Sequence, residues 1–115
     1  MLTKEAEKQI AVKLAASKPL DVTIRVFTSQ PGSKELALQI RQVFLNGGFT
    51  VDPNNVYGSG GQWSLRPGLE VMTKETPDAA LSSALTQLFL ELGEKRNIQT
   101  VSGLVTDLTI TIGDQ

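Results

Sequence analysis

Apolar positions fall into two periods along this chain, and the alternation between them predicts its elements. Val22, Ile24 and Val26 alternate with Thr23, Arg25 and Phe27, the period of a strand with one strongly apolar face. Leu36, Ile40, Val43 and Phe44 then recur at helical spacing and stack on one side of a helix. Between them, Ser29 to Ser33 form a turn, with Gly32 or Ser33 as the N-cap. Asn46-Gly47-Gly48 tolerates the left-handed backbone that ends a helix, and Phe49 and Val51 resume the strand alternation. Leu69, Val71 and Thr73 alternate with Glu70 and Met72 as a third strand. Thr76-Pro77-Asp78 marks a helix start: a capping hydroxyl, proline at the first helical position and an acid in the first turn. Leu81, Ala84, Leu85, Leu88, Phe89 and Leu92 form the apolar stripe of that helix, and Gly93 ends it. A last strand is read from Leu108, Ile110 and Ile112 alternating with Thr109 and Thr111. Residues 98 to 106 fit neither period.

Ahead of this pattern, residues 3 to 17 have helix-favouring composition. Thr3 is placed to cap, Glu5 and Glu7 lie in the first turn, Lys13 lies toward the end, and Pro19 stops the helix. Its stripe of Leu2, Ala6, Ile10 and Leu14 is narrow and partly small. Two readings stay open: a helix packed lightly on the domain, or the end of a connector or coiled coil that pairs with another segment. The expected organisation is therefore an N-terminal helix over 1–19 and a single α/β domain over 20–115.

Without the first helix, the order strand, helix, strand, strand, helix, strand predicts an α+β, ferredoxin-like split β-α-β sandwich (βαββαβ). Two helices with single apolar faces would cover one face of a four-stranded sheet. Thr23, Arg25, Thr109 and Thr111 would lie on the other, open face, a candidate interface that could stay wet, receive the first helix or join a second copy. A three-layer, mainly parallel sheet is the alternative; strands that alternate rather than run continuously apolar argue against it.

The succession VTIRVF, KELALQIRQVFLNGGFTV, PDAALSSALTQLFLELG and DLTITIG, over about residues 20 to 113, resembles the small α/β domain at the C-terminal end of poorly characterised bacterial, often membrane-anchored, proteins. The resemblance implies a soluble module attached to a longer protein, and it carries no established catalytic residues. It adds weight to the connector reading of the first helix.

Composition narrows the chemistry. There is no histidine and no cysteine, which removes the commonest general acid-base, thiolate nucleophiles and most transition-metal ligation. The turn after the first strand lacks the glycines of a dinucleotide fingerprint and the G-K-[ST] of a P-loop, and no Ca²⁺-loop pattern occurs. No catalytic residue, metal or cofactor is expected. Lys plus Arg total 11 against 12 Asp plus Glu, a net charge of −1, so there is no basic field to hold a nucleic acid. No apolar run reaches the roughly 20 residues of a membrane span. The expected setting is the cytoplasm, with tethering through a longer parent protein kept open.

The segment from Tyr57 to Gly68 is the most irregular. Glycines at 58, 60, 61 and 68 surround Trp63 and Arg66. One reading makes it a connection whose Trp63 covers the core; the other makes Tyr57, Gly60, Gly61, Trp63 and Arg66 a recognition loop, with Arg66 pairing an anionic group. The function expected is a non-enzymatic interaction or sensory module, acting through the open sheet face, the edge strands or this loop, with a protein partner or a second copy. A small-molecule, anion-binding domain built on residues 57–68 is the alternative.

Overall fold

The computed structural model describes residues 1–26, 31–52 and 68–113. Three helices and five strands follow in the order α1 (Lys4–Ala15), β1 (Asp21–Val26), α2 (Ser33–Asn46), β2 (Thr50–Val51), β3 (Leu69–Thr73), α3 (Ala79–Glu91), β4 (Ile98–Thr100) and β5 (Leu108–Ile112). The α+β class is as the pattern predicts. The ferredoxin-like strand order is not. That order separates the strands joined by each helix, whereas here the strands run β2-β1-β5-β3-β4. β1 and β2 are direct parallel neighbours, with Asp21 beside Thr50 and Val22 beside Val51. β3 and β4 are likewise parallel neighbours. Two adjacent β-α-β units thus stand side by side, and β5 fills the space between them, parallel to β1 and antiparallel to β3. Alternation fixes which face of a strand is buried, but not which strand lies next to it, so a split unit and an adjacent one look alike in sequence.

The helices form where the periodicity places them, with one cap displaced. Thr3 caps α1, its hydroxyl accepting from the Ala6 N–H at 3.1 Å. Gly32 caps α2 with no side-chain bond. For α3 the cap is Asp78 and not Thr76: the Asp78 carboxylate accepts from the Leu81 N–H at 2.8 Å. α2 and α3 end alike, with Phe49 N–H donating to the Phe44 C=O and Glu94 N–H to the Phe89 C=O, each at 2.9 Å. These bonds close the last turn across a left-handed glycine, Gly48 or Gly93.

One core joins all of this. Val22, Ile24, Val51, Leu69, Val71, Leu108, Ile110 and Ile112 line the apolar sheet face, and the buried stripes of all three helices belong to the same cluster. The first helix is fully part of it: Leu2, Ala6, Ile10 and Leu14 are buried, and α1 packs against both α2 and α3. The small residues that make its stripe look weak permit close approach, and Leu14 lies directly over Gly47. Polar bonds fix its two ends. The Gln39 amide accepts from the Leu2 N–H (2.8 Å) and donates to the Leu2 C=O (2.7 Å). At the other end, Asp78 takes hydrogen bonds from the Ser17 hydroxyl (3.0 Å) and the Lys18 N–H (3.1 Å).

Candidate functional site

Tyr57, Gly60, Gly61, Trp63 and Arg66 lie outside the described residues. The second expected site, the open sheet face, is corrected. Register places Thr23 beside Thr109 and Arg25 beside Thr111 on one face, with Met72 and Glu70 continuing the two rows. Yet Thr23, Thr109 and Thr111 are only 3%, 4% and 2% exposed; of the four residues assigned to an open face, Arg25 alone is exposed. β5 is the middle strand of five, and all its side chains are buried on both faces. Threonine suits such a position, because its branched side chain fits a pleated surface and its hydroxyl can be satisfied locally. The Thr23 hydroxyl does this with that of Thr106, 2.7 Å away, which also donates to the Leu108 C=O.

Two features were not read from the sequence. The first is the outer edge of β4. Its register with β3 pairs Val71 with Ile98 and Thr73 with Thr100. Asn97 C=O accepts from the Val71 N–H (3.0 Å), and Val101 N–H donates to the Thr73 C=O (2.7 Å). In a parallel ladder this phase turns the peptide groups of Asn97, Gln99 and Val101 toward β3 and those of Ile98 and Thr100 outward. β4 ends the sheet, so among the described residues no strand takes those outward groups. Edge strands are normally blunted by charge or proline. Here no charged residue and no proline occurs between Arg96 and Asp107, Gln99 and Thr100 are exposed, and Val105 is 89% exposed. The available signal was this uncharged run with Ile98 and Val101, too short to show a period.

The second feature is a crevice of about 210 Å³ where the end of β3 turns into α3. The Lys18–Leu20 segment forms one wall, Thr73 to Asp78 the other, and Leu81 and Asp107 close it. Asp78 is held below the usual carboxylate range, first by the Leu81 N–H and then by the Lys18 N–H; burial opposes them, and the Ser17 hydroxyl adds a lesser lowering. Asp107 accepts from the Asp21 N–H at 3.1 Å. Both carboxylates are thus committed to backbone donors, and no group of acidic residues among those described comes together to hold a metal ion.

Among the described residues, no helix is long and apolar enough to cross a membrane. Comparison with known protein families, with curated proteins and with solved structures finds no match to this chain.

Proposed function

We propose that this chain is a non-enzymatic interaction module that pairs with a second copy of itself through the edge of β4. The observation that supports the reading is the unblunted edge, with the peptide groups of Ile98 and Thr100 facing outward along an uncharged segment. The edge is self-complementary. In an antiparallel pair centred on Gln99, Ile98 of one copy lies opposite Thr100 of the other, and both are outward-facing residues that exchange their N–H and C=O bonds. Gln99 meets its own copy at the non-hydrogen-bonded position, where side chains come closest. In the same register Arg96 falls opposite Ser102 and Lys95 opposite Gly103, so no like charges confront each other. The reading fits a module carried on a longer protein, as the resemblance of residues 20 to 113 implies.

A strand this short buries far less than the roughly 1,200 Å² of a stable interface. Association is expected to be weak, with a Kd on the order of 0.1–1 mM. Sedimentation or NMR relaxation over that concentration range tests it. Gln99→Lys sets like charges against each other at the symmetry axis and abolishes pairing, as does Gln99→Glu; mixing the two variants restores it as a heterodimer. A wild-type chain that stays monomeric at about 1 mM, or variants that fail to pair when mixed, would refute the proposal.

A further inference from the structure

Arg96 stands just ahead of β4 with its charge uncompensated. It is exposed, yet α3 holds its side chain in place: Nε donates to the Thr86 hydroxyl (3.1 Å) and Nη2 to the Ser82 hydroxyl (3.3 Å). Both partners are neutral, and among the described residues no carboxylate pairs with the guanidinium. The carboxylate of Glu94, two positions earlier, lies beside Gly68 instead. An arginine fixed by neutral hydroxyls keeps its remaining N–H donors for an anion, in the planar fork that suits oxyanions. Fixing the side chain beforehand also lowers the entropy cost of binding.

A second set of donors lies beyond the other end of the strand. β4 stops at Thr100, and the chain then turns through Ser102 and Gly103, both exposed, with Gly103 at φ +92°. Among the described residues, neither of their N–H groups has an acceptor and the Ser102 hydroxyl has no partner. Within one chain these donors are out of reach of Arg96, because the nearly extended backbone between them, at about 3.3 Å per residue, spans on the order of 20 Å. Pairing brings them together. In the antiparallel register centred on Gln99, Arg96 of one copy falls opposite Ser102 of the other, and Lys95 opposite Gly103. Each junction therefore gathers a guanidinium, an ammonium, a hydroxyl and free N–H groups, with no acid in the run from Asn97 to Thr106. Donors that arrive from two sides, in excess of what a carboxylate accepts, suit a tetrahedral dianion. We propose that the β4 pair binds phosphate at two symmetry-related sites, each made by Arg96 and Lys95 of one copy and the Ser102–Gly103 turn of the other. The inference rests on the pairing proposed above and makes phosphate its regulator, because a ligand held only by the pair strengthens the pair.

The test measures pairing of the whole chain by sedimentation, near neutral pH, in inorganic phosphate and in sodium chloride of matched ionic strength. With two sites per pair, phosphate at the site's own Kd is expected to tighten pairing about fourfold, and at ten times that concentration about a hundredfold. Arg96→Met keeps the apolar stem and is expected to abolish the tightening, while pairing in chloride stays within about twofold of wild type. Amide NMR adds a second readout: phosphate shifts Ser102 and Gly103 in wild type but not in the unpaired Gln99→Lys chain, whose added positive charge would itself favour phosphate. Equal pairing in the two salts, up to about 50 mM phosphate, overturns the phosphate site and leaves β4 pairing standing. Tightening that survives Arg96→Met, or equal shifts in Gln99→Lys, overturns the shared site. A chain that pairs in neither salt overturns both readings.

Discussion

Replacing Gly47 with alanine should loosen the first helix from the domain, and the reason is space rather than backbone conformation. Gly47 has φ −81°, which alanine adopts freely, so substitution carries no left-handed penalty. A Cβ at this position would stand 2.5 Å from the Leu14 Cβ and 3.3 Å from the Ala11 C=O oxygen. Carbon atoms in ordinary contact are about 3.5–4.0 Å apart, so α1 and the end of α2 must part by at least about 1 Å. Interiors packed to crystal density do not absorb such a shift, and overpacking of this kind costs about 1–3 kcal/mol. The lower entropy of the unfolded alanine chain returns about 0.4–1 kcal/mol. A net loss of about 1–2 kcal/mol is expected, a substantial part of a total stability of roughly 5–15 kcal/mol. Equilibrium urea unfolding measures it, and amide hydrogen exchange locates it, with faster exchange concentrated in α1. Gly48→Ala is the control. Gly48 has φ +88° and open space around the added carbon; its cost of about 1–2 kcal/mol is local backbone strain and leaves α1 exchange unchanged. A Gly47→Ala protein within about 0.5 kcal/mol of wild type, or one with undisturbed α1 exchange, would refute the packing of Leu14 on Gly47.

Ile10→Ala, at a fully buried position, should cost about 2–5 kcal/mol, whereas Val12→Ala, at a residue 72% exposed, should stay within about 0.5 kcal/mol in the same urea assay. Asp78→Ala removes the α3 cap and should cost about 1 kcal/mol. Because the folded Asp78 carboxyl sits below its ordinary value, its contribution is fully present above the unfolded value of about 3.9 and is lost as pH falls through the lower folded value. Unfolding free energy should therefore decline more steeply below about pH 4 in wild type than in Asp78→Asn; parallel curves would exclude the charge-assisted cap. In β4, Thr100→Pro removes an outward N–H and should leave monomer stability within about 1 kcal/mol, while Gln99→Pro breaks a bond to β3 and should cost about 3 kcal/mol; the reverse order would invert the assigned phase.

The elements with long, regular stripes were legible. Leu81 to Leu92 and Leu36 to Phe44 each announce a helix and its buried side, and the alternation through Val22 and Ile110 announces strands. What periodicity cannot carry is adjacency, so the position of β5 between β1 and β3 was not accessible. Its threonines show where polarity misleads: Thr109 and Thr111 are polar but branched, and both are buried in the structure. The α3 cap was displaced for a similar reason. Thr76 and Asp78 both suit the role, and the choice falls to Asp78, whose carboxylate also accepts from Ser17 and Lys18, contacts about 60 residues away in sequence. β4 was hidden by its length, and the crevice by being assembled from three separate segments.

The order in which the strands are synthesised gives the central position of β5 a further consequence. The unit β1-α2-β2 is complete at Val51, but the strand that joins it to β3 is complete only at Ile112, roughly 60 residues later. At about 5–20 residues per second, the inner edge of the β1 unit waits about 3–12 s for the shared partner, and that of β3, complete only at Thr73, about 2–8 s. During that time each is an apolar edge able to pair with a neighbouring nascent chain. The last strand made is thus the keystone of the sheet, and a ribosome stalled before Leu108 would release two half-sheets rather than a domain lacking one strand.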